Sequence, residues 1–155
     1  MASTVGPGAP GGAALARGLE ALGQHAWTPA FEALSQADRE GALGASGLEA
    51  LAEAAWFTGQ GDLAIDVKER AFGAWQAEGE PIRAGGLAVD LAHEYAYMRH
   101  LSVASGWLHR AERLLEGRDE TWAHGFLALA RAEGAMDSGV DHRGRRAGRG
   151  RPGHR

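Results

Sequence analysis

The chain has no cysteine, which excludes a disulfide framework and thiolate chemistry and fits a reducing compartment. Valine and isoleucine are scarce beside 24 glycines, a balance that argues against a sheet protein. No run approaches the roughly 20 apolar residues that a membrane span needs. Residues 1–12 have neither the basic nor the apolar region of a secretory signal. A cytoplasmic protein that does not engage a membrane is expected. Lysine is almost absent too: Lys68 stands alone against 15 arginines, a bias that GC-rich coding produces without any functional demand.

What is present is helix-forming. Ala, Leu, Glu and Arg dominate, and 45% of the residues are hydrophobic, enough for one domain with a sizeable core. The formal charge of −4 hides an asymmetry. Residues 1–140 hold 10 basic and 19 acidic side chains, whereas residues 141–155 hold six arginines and one aspartate.

Residues 1–12 are small residues, Gly and Pro, and read as disordered. From Ala13 the apolar period becomes helical, with Leu15, Leu19 and Leu22 on one face. Thr28 is the expected cap of a second helix, with Pro29 at its first position and Phe31 and Leu34 inward. After a loop at 41–47, a third helix over 48–57 carries Leu48, Leu51, Ala52, Ala55 and Trp56. Gly59 then ends it and Asp62 is the expected cap of the fourth, which buries Leu63, Val67, Ala71 and Trp75. Pro81 separates it from a fifth helix over 82–99 with Leu87, Leu91, Ala92, Tyr95 and Met98 inward. Ser102 is the expected cap of a sixth, holding Ala104, Trp107, Leu108, Ala111 and Leu115. A seventh over 120–136 presents Trp122, Phe126, Leu127, Leu129 and Ala130. Beyond it the apolar period stops, so residues 141–155 read as a disordered Arg/Gly-rich tail.

The segments repeat. Laid on the chain from Ser102, the chain from Asp62 pairs Leu63 with Val103, Ala64 with Ala104, Val67 with Trp107, Arg70 with Arg110 and Ala71 with Ala111. A looser match places 27–31 on 63–67. One helical hairpin per about 36 to 40 residues is a solenoid period. The expected fold is therefore all-α: antiparallel hairpins stacked as a tetratricopeptide-like solenoid over residues 13–140, in about seven helices. Stacked hairpins bury each other's apolar faces, and Gly86, Ala92, Ala104 and Gly106 are expected where helices approach most closely.

Gly47-Leu48-Glu49-Ala50-Leu51-Ala52-Glu53-Ala54-Ala55-Trp56, Gly61-Asp62-Leu63-Ala64-Ile65 and Glu69-Arg70-Ala71-Phe72 resemble the helical-repeat region of bacterial LuxR-type transcriptional regulators. So do Val103-Ala104-Ser105-Gly106-Trp107-Leu108, the run from Arg110 to Glu116, and His124-Gly125-Phe126-Leu127-Ala128-Leu129. The resemblance implies a regulatory module that binds a protein, a peptide or a small effector on a concave face. It implies DNA binding only through a separate helix-turn-helix domain. Residues 142–155 do not match that domain, and helix seven has no partner helix, so the sequence reads as truncated or frame-shifted. Weak self-association through the bare face of helix seven is expected.

No catalytic, cofactor or metal site is expected. His93 and His100 lie seven apart with Tyr97 where a zinc-binding helix needs histidine, about 10.5 Å along the axis and too far for one ion. Gly59-Gln60-Gly61-Asp62-Leu63-Ala64 fits a dinucleotide pattern but follows a helix instead of a strand. Ser102, Ser105 and Ser138 have no histidine and aspartate arrangement around them. Glu49/Glu53, Asp66/Arg70 and Glu112/Glu116 have the spacing of solvated helix faces, and the five tryptophans are expected in the core. The alternative function is association with nucleic acid through Arg143, Arg145, Arg146, Arg149 and Arg151, whose charge would bind phosphates without sequence preference.

Overall fold

The computed structural model describes residues 10–146, and the side chains of residues 11–136. Helices are the only regular elements among them: α1 (Pro10–Gly23), α2 (Trp27–Arg39), α3 (Ala45–Phe57), α4 (Gly61–Ala77), α5 (Pro81–Tyr97), α6 (Leu101–Leu115) and α7 (Trp122–Arg146). The all-α class and the seven helices are as the apolar period indicates. The bounds shift at both ends. Pro10, Gly11 and Gly12 already belong to α1, and the backbone of α7 continues to Arg146, beyond the boundary at 140. None of the described helices is long and apolar enough to cross a membrane.

One turn geometry recurs between the helices. The Gly59 N–H donates to the Trp56 carbonyl at 3.0 Å and the Gln60 N–H to the Ala55 carbonyl at 2.9 Å. This pair of bonds satisfies the last carbonyls of α3 and needs a left-handed residue at position 59, where Gly59 has φ +80°. The same bonds close α2 at Gly41 and Ala42, and α4 at Gly79 and Glu80. At the ends of α1 and α5 the left-handed position is filled by His25 and Arg99. Each turn delivers the chain into the next helix with no polar cap residue. Ala26, Gln60 and His100 precede α2, α4 and α6 without a capping side chain, so Thr28, Asp62 and Ser102 do not take the capping roles expected of them. The N-terminus of α3 is served from a distance: Glu78 Oε1 accepts the Ala45 N–H at 3.0 Å.

Packing follows chain order. Every helix meets the next, and α1 also meets α3 and α5 meets α7. Leu34, Val67, Val89, Leu91 and Leu115 are the largest fully buried side chains. Truncating one of these leucines to alanine would cost about 2–5 kcal/mol. Small residues set the closest approaches. A Cβ on Gly85 would fall 2.9 Å from Leu115, and one on Gly86 would fall 2.2 Å from the Trp122 ring. Ala92 and Ala104 are buried as expected, but Gly106 faces open space.

Helices α3 and α5 differ from the others. In α3 nearly every residue from Ala45 to Ala55 is buried, the accessible stripe being Ser46, Glu49, Glu53, Trp56 and Phe57. In α5 Ala84 to Val89 are buried without a break, and access returns at Arg83, Asp90, Glu94 and Tyr97. Both stripes repeat at three and four residues, the mark of one helix face. Leu19 and Leu63, expected inward, are exposed, as are Trp122, Phe126, Leu129 and Met136 along α7. Among its described side chains, α7 buries only Ala123, Leu127 and Ala130 against its neighbours. Its bare apolar face is the one the sequence implies.

Candidate functional site

No Cα of α3 lies within 8 Å of one in α5, whereas α4 packs on both. The gap between them is a groove of about 390 Å³ lined by Glu49, Glu53, Trp56 and Phe57 of α3 and Lys68 of α4. Arg83, Gly86, Leu87, Asp90 and Glu94 of α5 complete the lining with Trp122 of α7. The open stripes of α3 and α5 thus face one space. The lack of a side chain at Gly86 seats the Trp122 indole directly on α5 and so brings it to the groove wall.

Aromatic surface forms the walls. Trp56 is 49% exposed and Trp122 54% exposed, so both leave the core to which the apolar stripes assign them. Trp75 and Trp107 stay inside. Phe57 is held at the rim by stacking on Trp27, ring centroids 4.2 Å apart and planes 17° from parallel.

Carboxylates form the floor, and their partners are unequally shared. Lys68 pairs with Glu94 through one carboxylate oxygen, and the second oxygen of Glu94 is buried without a hydrogen bond. Trp75 Nε1 donates to Glu49 Oε1 at 2.9 Å, and the Arg83 guanidinium lies over the Trp75 ring at 5.3 Å. Glu53 and Asp90 make no hydrogen bond or ion pair among the described residues. Asp90 reaches solvent through the groove, yet protein surrounds its carboxyl. Desolvation is the largest influence and pushes its pKa up, opposed by Lys68 and His93 and reinforced by Glu94 and Glu49. Behind the floor, Tyr95 donates to Glu69 at 2.7 Å. That bond, desolvation and the nearby carboxylates Glu69, Asp66 and Glu94 raise the Tyr95 phenol to about 12.

The other acid–base groups are satisfied elsewhere. Arg70 does not pair with Asp66 one turn away but holds Asp38 of α2 through two bonds of 2.9 and 2.6 Å, which lowers the Asp38 pKa. Glu112 accepts from Arg131 at 2.9 Å and meets His109 at 3.2 Å, and its pKa is lowered, first by Arg131. A second cleft, between α6 and α7, is lined by Glu112, Arg131 and His124 among others. There the Thr121 N–H donates to His124 Nδ1 at 3.1 Å, which leaves the opposite nitrogen to donate to the Leu115 carbonyl at 2.9 Å. Glu112, Arg118, His124 and Arg131 are thus engaged there, whereas Arg113 and Glu116 are not paired among the described residues.

His93 and His100 separate as their spacing requires. His93 pairs with Glu133 at 3.0 Å, and the His100 ring packs edge-on to Tyr95. Gly59 and Gln60 lie in the α3–α4 turn, and Gly61 and Asp62 open α4. Of the basic candidates, Arg143, Arg145 and Arg146 lie on the last turns of α7, their side chains outside the described residues. Arg149 and Arg151 fall outside the described residues altogether.

The groove residues Glu49, Glu53, Asp90 and Glu94 carry a signal that the sequence reading passed over. Each pair sits at i, i+4 in a helix otherwise apolar or small on nearly every side, and such a helix is internal. A charged stripe on it lines a cleft instead of a solvated outer face. Compared with protein-family models, curated proteins and solved structures, the chain matches none.

Proposed function

We propose that the chain is a non-catalytic helical-repeat interaction module of the tetratricopeptide kind, and that its ligand is a peptide segment held in the groove between α3, α5 and α7. The observation that carries this reading is the pair of inner helices buried on all sides except for two facing stripes. A groove with aromatic walls and a few placed polar groups is the ordinary form of a recognition site. Exposed tryptophan contributes large contact area at low entropic cost. Contacts confined to helices one or two apart in the chain support the solenoid part of the proposal.

The resemblance to LuxR-type regulators adds a role: a ligand in this groove would be the regulatory input, with DNA recognition left to a further domain. Panning a displayed random peptide library against the protein tests the groove. Enriched clones should bind the chain and lose binding to Trp56→Ala, whose side chain is half exposed and can be removed without opening the core. No enrichment, or clones indifferent to Trp56→Ala, would sink the proposal.

A further inference from the structure

The groove holds four carboxylates, Glu49, Glu53, Asp90 and Glu94, against two cations, Lys68 and Arg83. Both cations are engaged, Lys68 by Glu94 and Arg83 by the face of Trp75. Glu53, Asp90 and one oxygen of Glu94 are without a hydrogen-bonding or ion-paired partner among the described residues. A ligand that meets these groups must bring positive charge and N–H donors.

Shape narrows the charge to one chemistry. Indole faces attract cations lying over them, and guanidinium combines that stacking with a planar fork matched to carboxylate. The protein already uses this contact twice within itself, Arg83 over Trp75 at 5.3 Å and Arg110 over Trp107 at 4.4 Å. Trp56 and Trp122, at the groove walls, have no such cation over them among the described residues, and unmet carboxylates lie along the floor beside them. The second cleft offers no comparable arrangement, because no tryptophan lines it and Arg131 already occupies Glu112.

The chain's own basic residues on α7 are poorly placed for the role. At about 1.5 Å per residue, Arg146 lies roughly 36 Å along the helix axis from Trp122. Among the described residues no further cation lines the groove, and the inference takes its cation from another molecule.

We infer that the groove selects an extended peptide of a partner protein by an arginine side chain, whose guanidinium stacks on the Trp56 or Trp122 face and bonds to Asp90 and Glu53. The inference rests on the groove being a peptide site, as proposed above, and names what it selects. Glycine beside the arginine would leave the guanidinium as the only bulky group the groove must admit.

Fluorescence anisotropy with a labelled glycine–arginine peptide tests it, alongside analogues in which arginine is replaced by lysine or by citrulline, its neutral isostere. The arginine peptide should bind, the lysine peptide more weakly, and the citrulline peptide at least about tenfold more weakly, a loss equal to one desolvated charge contact. Asp90→Asn and Glu53→Gln should each weaken the arginine peptide while leaving the citrulline baseline alone, and circular dichroism should show both variants folded. Equal binding of the arginine and citrulline peptides overturns the inference, as does arginine binding indifferent to both substitutions. The library experiment separates the two levels. Groove-dependent clones without arginine would leave the peptide site standing and remove only this inference.

Discussion

Gly86 and Trp122 meet with no room between them: a Cβ built on Gly86 would lie 2.2 Å from one indole carbon and 2.4 Å from the next. The contact joins α5 to α7 and sets the indole at the groove wall. Gly86→Ala gains helix propensity of about 1 kcal/mol but must push the ring away. We predict a net destabilisation of about 1–2 kcal/mol, the usual scale for overpacking. Trp122 should become more exposed, seen as a red shift in tryptophan emission relative to Trp75→Phe and Trp107→Phe backgrounds. A variant as stable as the parent with unchanged emission would mean that the ring does not rest on Gly86.

The repeated turn makes a second prediction. Gly41, Gly59 and Gly79 hold the left-handed position after α2, α3 and α4, whereas His25 and Arg99 hold it after α1 and α5. A side chain there costs about 1 kcal/mol or more relative to glycine. Arg99→Gly should therefore stabilise the fold by about 1 kcal/mol in chemical denaturation, and Gly59→Ala should destabilise it by a similar amount. Opposite signs at the two equivalent positions are the diagnostic; like signs would refute the shared geometry.

These two cases also mark how far the sequence can be read. The helices were legible because glycine and proline interrupt a strong 3.6-residue period, and the repetition between the chain from Asp62 and that from Ser102 marks equivalent helices. The faces of α3 and α5 were not legible. A helix apolar on nearly every side has no single inward direction, so Trp56 was assigned to the core although it is half exposed. Which stripe stays open is decided by the separation of α3 from α5, a property of how α4 packs between them and not of either helix alone. The caps failed for a related reason. Thr28, Asp62 and Ser102 are good capping residues, but the turn bonds already fix where each helix begins, one to two residues earlier.

Arg70 gives the third prediction, because local spacing and tertiary contact name different partners. Spacing offers Asp66; the structure offers Asp38, at 2.6 and 2.9 Å. A double-mutant cycle between Arg70→Met and Asp38→Asn should give a coupling of about 0.5–1 kcal/mol, the range of a well-formed surface pair. The cycle with Asp66→Asn should give a value near zero. The Asp38 pKa is depressed in the folded state, so its contribution is present above the ordinary carboxylate range and is lost as pH falls through the lowered value. Substituting Asp38 should accordingly flatten the acid limb of the stability curve. Coupling to Asp66 instead would return the pair to the outer face of α4.

Asp90 reverses that sign and ties stability to the groove. Its folded pKa lies above the ordinary value, chiefly through desolvation, with Glu94 and Glu49 adding to the shift and Lys68 and His93 opposing it. Between the ordinary and raised values the folded state holds a proton that the unfolded chain has released, so stability declines as pH rises through that window. Asp90→Asn removes the charge while keeping the shape. The variant should match the parent near pH 3, where both are neutral at this position, and exceed its melting temperature at pH 7. Melting curves across that range, with Asp66→Asn as a control, decide the matter. A parent that is equally stable relative to the variant at both pH values would show that the carboxylate is not strained. The predicted result has a functional edge: the same substitution that steadies the fold should weaken the arginine peptide. That outcome would identify a carboxylate kept at a stability cost in a groove with aromatic walls, the arrangement expected where charge is held ready for a partner.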